Sequence, residues 1–233
     1  KATFELEKRF NLNDGTLKES NGYDADKNTT DWDGAANVGL KGDNWGACRL
    51  GRVNELPTES IRKFDPFYQY GVAGMIDSTQ RSARISDTIR YDSLNWSGFH
   101  FGASYSLGGN TDRDSVKVPS DMDNVLKNGA DNDGYAISLG YDNGPLSLAG
   151  NWSRLADSKD SSVWNLGAAY KFGPAKVSLV YQQTKDEGWA LGESTNTKST
   201  QKDWLLGLEW TLGQGRLNAS VQYLEVSDVA DWN

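Results

Sequence analysis

The sequence has one cysteine, one histidine, two methionines and five prolines among 233 residues. A single cysteine, Cys48, excludes an intrachain disulfide, and one cysteine with one histidine makes a zinc site unfavourable. No run approaches the roughly 18 apolar residues that a transmembrane helix requires. Because the formal net charge is −8, the basic stripe typical of nucleic-acid binding is missing, and we expect no nucleic-acid partner.

Glycine and aromatic residues are abundant by contrast. The chain has 25 glycines, 9 tryptophans and 10 tyrosines, a composition that disfavours both disorder and a helical globule. The mean hydropathy of −0.66 resembles that of a soluble protein. However, the half-polar strands of a transmembrane β-barrel give an equally low average, so hydropathy leaves both classes open.

Alternation of apolar and polar residues recurs along the whole chain and predicts strands with two unlike faces. In "RISDTIRYDSLNWSGFHFGASYSL" (84–107), Ile89 and Phe101 share a face with other large side chains, whereas Arg84, Arg90 and His100 share the opposite face. Similar runs give about eleven strands, most of them near the nine to eleven residues that a tilted strand needs to cross a membrane. We therefore predict an all-β chain.

The connectors between these strands alternate in length. Short connectors fall at 41–46, 93–98, 142–145, 172–175 and 212–215, and long polar ones at about 13–31, 53–83, 108–132, 155–161 and 185–201. This rhythm predicts an up-and-down antiparallel sheet with two unlike ends, as in a transmembrane antiparallel β-barrel. Aromatic residues cluster near both kinds of connector, which matches the two interfacial girdles of a barrel better than the core of a soluble β-sandwich.

Three stretches carry a family resemblance. "RISDTIRYDSLNWSGFHFGASYS" resembles the strand–turn–strand signature of Gram-negative general porins, especially the neisserial and β-proteobacterial type. "VGLKGDNWGACRLGRV" is similar to the preceding hairpin of that family, and "KATFELEKRFN" to its third strand. The resemblance implies a barrel of about sixteen strands in the bacterial outer membrane. We therefore expect 1–233 to be one partial barrel domain, with about two strands missing before it and about three after it.

The resemblance also implies a homotrimer and an inward-folded constriction loop at 53–83. Within that loop, "PTES" could open a short helix with Pro57 or Thr58 at its entry. Opposed basic and acidic walls would create a transverse field across the pore, although ordinary solvated charges are the alternative. The expected constriction residues are Arg49, Arg52, Arg84 and Arg90 on the wall and Glu55, Glu59, Asp65 and Asp77 on the loop.

The function that follows is passive diffusion of ions and small hydrophilic solutes, with outer-membrane lipid and lipopolysaccharide as further partners. We find no nucleophile–base pairing, phosphate loop or dinucleotide fingerprint, and so expect no enzyme activity, cofactor or metal. Acidic clusters at 121–124 and 131–134 lack a full calcium-loop pattern. The alternatives are a sugar-selective porin, a soluble carbohydrate-binding β-domain, and a structural outer-membrane protein or adhesin. The preference for anions or cations stays open.

Overall fold

The computed structural model describes residues 1–8, 10, 32, 34–69, 84–108, 132–156, 161–187 and 198–227. These residues form one sheet of eleven antiparallel strands, in which each strand pairs with its neighbours in sequence and β1 and β11 end the order. The strands are β1 (Ala2–Leu6), β2 (Ala36–Gly42), β3 (Gly46–Asn54), β4 (Arg84–Asp92), β5 (Phe99–Ser106), β6 (Gly134–Asn143), β7 (Leu146–Arg154), β8 (Ser162–Phe172), β9 (Ala175–Glu187), β10 (Lys198–Leu212) and β11 (Gly215–Ser227). The predicted strand number and up-and-down order are confirmed.

The predicted alternation of short and long connectors is confirmed as well. The turns after β2, β4, β6, β8 and β10 are short, whereas the connections after β1, β3, β5, β7 and β9 are longer. Because strands in this order run alternately up and down, all short turns lie at one end of the sheet and all longer connections at the other. The first strand is shorter than predicted: β1 ends at Leu6, although the Glu7 backbone N–H continues the pairing to the Ala35 carbonyl at 2.7 Å.

The two faces of the sheet carry opposite chemistry. The outer face exposes large apolar side chains, among them Phe4, Leu50, Leu139, Leu206 and Val221. Aromatic pairs lie on this face near both ends of the strands, as in Phe99–Tyr141 and Tyr181–Trp204, whose ring centroids are 4.5 and 4.3 Å apart. The inner face carries glycine, serine, amide and charged side chains, together with small and medium-sized aliphatic residues such as Val180 and Leu205. The sheet therefore places its apolar side outward, as the alternation predicts.

Residues 55–69, which we call the inner segment, lie across the inner face. They contain the helix α1 (Leu56–Ile61) and a 3₁₀ turn (Arg62–Phe64). Pro57 lies in the first turn of α1, where the missing N–H of a proline costs no intrahelical bond, and so the expected short helix is confirmed. No helix of the described residues is long and apolar enough to cross a membrane.

The inner segment packs on β5–β9. α1 packs against β5, β6, β7 and β8, and the 3₁₀ turn packs against β8 and β9. The buried apolar cluster between segment and sheet consists of Ile61 and Phe64 from the segment and Ala149, Ala169, Val180 and Leu205 from β7–β10. Because these sheet residues are small or medium-sized, the segment lies close to the strands rather than standing away from them.

Candidate functional site

Apolar side chains of the inner segment fill gaps left by glycines of the sheet. Phe64 is fully buried, and a Cβ built on Gly167 of β8 would lie only 2.5 Å from its ring. Pro66 occupies the same kind of gap over Gly207 of β10, at 2.6 Å. Any larger residue at these two positions would push the segment away from the sheet. The glycines therefore determine how closely the segment packs on the inner face.

Polar contacts fix the inner segment to three further strands. Lys63 Nζ donates to both carboxylate oxygens of Asp142 on β6, each at 2.7 Å. Lys176 Nζ on β9 donates to the Lys63 carbonyl at 2.5 Å, and the Asn218 side-chain amide on β11 donates to the Pro66 carbonyl at 2.7 Å. These bonds satisfy carbonyls beyond the end of α1 that have no partner within the helix. The wall thus holds the segment by its backbone as well as by its side chains.

Glu55 and Asp65, two of the acids predicted for the pore lining, are buried. The Glu55 carboxylate accepts hydrogen bonds from the Thr58 hydroxyl at 2.8 Å and from the Ser153 hydroxyl of β7 at 3.2 Å. It therefore joins the start of α1 to the sheet. Its carboxylate does not lie on the open side of the segment.

Asp65 stabilises an unusual turn at the end of the inner segment. Its carboxylate accepts hydrogen bonds from the backbone N–H groups of Phe67 at 2.8 Å and Gln69 at 3.0 Å. Tyr68 and Gln69 both adopt left-handed backbone conformations, with φ of 53° and 63°, which are uncommon for residues other than glycine. The two bonds from Asp65 offset the cost of that conformation. Its role in the structure is to hold this turn.

Glu59 is the predicted loop acid that meets a predicted wall arginine. Its carboxylate pairs with the Arg90 guanidinium, and Arg90 also donates to the Asn54 carbonyl at 2.9 Å. Arg90 is only 6% exposed, because the inner segment covers it. The structure therefore brings these two residues together, but it leaves Arg90 with little contact with solvent.

Arg49 and Arg90 share a carboxylate that the sequence-based prediction missed. Arg49 donates to Asp92 Oδ2 at 2.7 Å, and Arg90 donates to Asp92 Oδ1 through its terminal nitrogen at 2.7 Å. Asp92 follows Arg90 by two residues on the same strand, so their side chains share a face. That spacing was the signal that could have identified it. The sequence-based prediction also missed Lys176 and Asp142, which hold the inner segment.

The other two predicted wall arginines lie nearer the long-connector end of the sheet. Arg84 pairs with the Glu7 carboxylate at 2.9 Å. Arg52 donates to the Gly34 carbonyl at 3.1 Å and to the Ser86 hydroxyl at 2.9 Å. Both arginines thus tie neighbouring parts of the wall together.

Two expectations fall wholly or partly outside the described residues. Asp77, predicted for the constriction, lies outside them, as does the acidic cluster at 121–124. Among the residues that the structure describes, no three His, Cys, Asp or Glu side chains group as a metal site would require. None of the described strands places a Trp, Tyr or Phe side chain on the inner face, so a ladder of aromatics along the described wall is not formed.

Comparison with known proteins shows relatives of one kind. A family model described as Gram-negative porin matches residues 1–233. An outer membrane porin protein of Bordetella pertussis is 28% identical over 208 residues, covering 82% of this chain and 50% of the relative. Outer membrane porin protein 32 of Delftia acidovorans is 30% identical over 164 residues, covering 64% of this chain and 42% of the relative. The chain thus spans about half the length of these curated relatives or less.

Solved structures give the same fold. The anion-selective porin from Comamonas acidovorans superposes with a TM-score of 0.69 at 23% identity, over 96% of this chain and 63% of that one. OmpT of Vibrio cholerae superposes with a TM-score of 0.55 at 14% identity, over 84% and 60%. Both superpositions show a likeness of fold, and the first of the two neighbours is named a porin. Since the family model matches every residue, the chain belongs to the Gram-negative porin family, and like its curated relatives it is a protein of the outer membrane.

Proposed function

We propose that this chain forms part of the wall of a water-filled channel through which ions and small hydrophilic solutes diffuse passively across the outer membrane. The observation that carries the proposal is the opposition of the two faces. Leu139 and Leu206 are among the large apolar side chains exposed outward, and charged side chains such as Arg49 and Asp142 lie on the inner face. Outer-membrane barrels have this arrangement because lipid contacts one face and water the other.

The inner segment is the described part of the proposed constriction loop, which extends over 53–83. A structured segment held against the wall by glycine gaps and ion pairs narrows the path without blocking it. We regard 1–233 as one barrel domain, part of a barrel of about sixteen strands in the full protein. Such a channel selects solutes by the width of its lumen and by the charges at its narrowest point. It makes and breaks no covalent bond.

The eight predicted constriction residues divide into two proposed roles. Arg49, Arg52 and Arg84 on the wall and Glu59 on the segment would meet the passing solute. Glu55, Asp65 and the buried Arg90 would act indirectly, because their contacts hold the inner segment in place. For Asp77, lining the constriction stays a prediction.

Diffusion without chemical selection suits this lining better than sugar transport does. A sugar-selective pore needs aromatic rings along the lumen, and the described strands carry theirs outward. A soluble carbohydrate-binding domain is disfavoured because the outward aromatic and aliphatic surface would contact water. We extend the proposal to a homotrimer embedded in outer-membrane lipid and lipopolysaccharide, in keeping with the family to which the chain belongs.

Conductance of the full-length protein in a planar lipid bilayer tests this function. We expect stable steps with a linear current–voltage relation, arriving in groups of three if the channel is a trimer. A matched sample of heat-unfolded protein should give no steps. Absence of conductance from correctly folded full-length protein would refute the channel. Steps that always arrive singly would refute the trimer alone, and saturable block by one sugar would favour the selective porin.

A further inference from the structure

Two arginines of the wall lie directly opposite each other. Arg49 of β3 and Arg90 of β4 are partners in the antiparallel register, and both side chains lie on the inner face. Like charges at directly opposed positions repel, because the Cβ atoms of such pairs are only about 5 Å apart. A counter-charge between the two guanidinium groups is therefore needed for both to keep their places.

Asp92 supplies that counter-charge. One carboxylate oxygen accepts from Arg49 at 2.7 Å, and the other accepts from Arg90 at 2.7 Å. Asp92 is the register partner of Gly102 on β5, and the Leu56 side chain of the inner segment lies over that glycine, beside the Asp92 carboxylate. The result is a row of alternating charges that runs from Glu59 through Arg90 and Asp92 to Arg49.

The members of this row differ in their access to the lumen. The Arg90 side chain is 7% exposed and is neutralised by Glu59 on one side. The Asp92 and Arg49 side chains are 30% and 23% exposed. A solute passing the wall therefore meets Arg49 and Asp92 as a close pair whose charges largely cancel. Without Asp92, Arg90 would keep Glu59, and Arg49 would lose its hydrogen-bonded counter-charge and keep the weaker attraction of Glu59 and Glu5.

We infer that Asp92 is a specificity-determining residue of the channel, which fixes the position of Arg49 and offsets its charge toward permeating ions. The inference rests on the proposed channel function and names the residue that sets its ion preference. Asp92 limits the attraction of the constriction for anions. Its effect acts through Arg49, and this distinguishes it from a residue that merely stabilises the wall.

The experiment is the reversal potential of the full-length protein in a KCl gradient, measured for Asp92→Asn. We expect the anion-to-cation permeability ratio to rise about two- to fivefold at about 0.1 M salt, because a negative charge is removed from a side chain that is 30% exposed. At about 1 M salt the Debye length falls to about 3 Å, and most of the shift should disappear. Asp92→Glu keeps the charge and should stay closer to wild type.

Two further variants separate a selectivity role from a structural one. Asp43→Asn removes the same charge from the exposed turn between β2 and β3, and it should change the ratio much less. Arg49→Gln leaves Asp92 with Arg90 alone, and it should shift the ratio toward cations. In the Arg49→Gln background, Asp92→Asn should have a smaller effect than in wild type, since the charge that Asp92 offsets is gone.

Each outcome decides a stated point. A conducting wild type with no shift in Asp92→Asn, or an equal shift in Asp43→Asn, would overturn the inference and leave the channel function standing. An undiminished effect of Asp92→Asn in the Arg49→Gln background would also overturn it. If Asp92→Asn does not fold, Arg49→Gln decides, because an unchanged ratio there contradicts the pairing. A wild type without conductance refutes the channel function itself, and the inference with it.

Discussion

The ring of Phe64 rests on the backbone of Gly167, so that a Cβ at Gly167 would stand 2.5 Å from ring atom Cδ2. Real Cβ atoms do not approach other heavy atoms so closely, and the fully buried ring has no room to move aside. The glycine is thus required by the segment that crosses the sheet rather than by the strand that contains it. A strand glycine of this kind marks a close approach of another part of the chain.

Gly167→Val should displace the inner segment while leaving the barrel folded. The added side chain overlaps the Phe64 ring, and overpacking of this kind costs about 1–3 kcal/mol of docking free energy. We expect a larger and noisier single-channel conductance, because the segment no longer holds its place in the lumen. Bilayer recordings of the full-length variant measure this directly.

Ala168→Val is the matched control for that variant. Ala168 is the next residue of β8 and points to the outer face, so its added methyl groups contact lipid rather than the segment. Its conductance should equal that of wild type. Equal conductance in all three proteins would contradict the idea that Gly167 positions the segment.

Arg90→Gln should destabilise the folded protein more than Arg49→Gln does. Arg90 is nearly fully buried, and its removal leaves Glu59 and Asp92 with one partner fewer beneath the segment. Breaking a buried pair costs about 3–5 kcal/mol, and the partial exposure of both carboxylates reduces this to about 2–4 kcal/mol. Arg49 is more exposed, so its loss should cost about 1 kcal/mol or less.

Heat-modifiable gel mobility measures this difference, because folded barrels and unfolded chains migrate differently. The midpoint temperature should fall clearly for Arg90→Gln and little for Arg49→Gln. Equal midpoint temperatures for the two variants would contradict the larger contribution of Arg90 to stability.

The two faces of the sheet were predictable because side chains in a strand alternate with a period of two residues. Phe101 outward and His100 inward follow from that period alone, whereas the order of the strands follows from the alternation of short and long connectors. The inner segment was different. Glu55 and Asp65 were predicted to line the pore, yet both are buried. The burial of Glu55 depends on Ser153, which is 98 residues away in sequence. Contacts of such range leave no local pattern, whereas Asp92 could have been found from its spacing to Arg90.

Leu139→Arg should test which face meets lipid. Leu139 is 60% exposed on the outer face of β6, where a charge at the bilayer midplane costs about 2–4 kcal/mol. Ser220→Arg is the control, because Ser220 is a partly exposed residue on the inner face of β11 and its register partner on β10 is a glycine, Gly207. Urea unfolding in phospholipid vesicles should show a large loss of stability for the first variant only. The reverse order would contradict the assignment of the faces.

Asp133 closes the base of the long connection between β5 and β6, and its contribution should depend on pH. The Gly108 backbone N–H donates to one carboxylate oxygen at 2.8 Å, and the Tyr105 hydroxyl donates to the other. The Gly108 bond, and then the Tyr105 bond, lower the pKa of Asp133 below its ordinary value. Because the folded state favours the charged form, this closure is fully present above a pH of about 4 and is lost as the pH falls through the lowered pKa.

Hydrogen exchange at the Gly108 amide measures the closure once rates are corrected for the intrinsic effect of pH. Protection should be high at pH 6 and should fall in strong acid, and Asp133→Asn should reduce it already at pH 6. Asp87→Asn is the control, because Asp87 meets the neighbouring Leu107 N–H through its backbone carbonyl at 3.0 Å, which the substitution leaves in place. If Asp133→Asn keeps the protection of wild type at pH 6, the carboxylate does not hold the connection closed. If Asp87→Asn lowers the protection of the Gly108 amide as much as Asp133→Asn does, the loss is caused by the change in surface charge and not by the Asp133 hydrogen bonds.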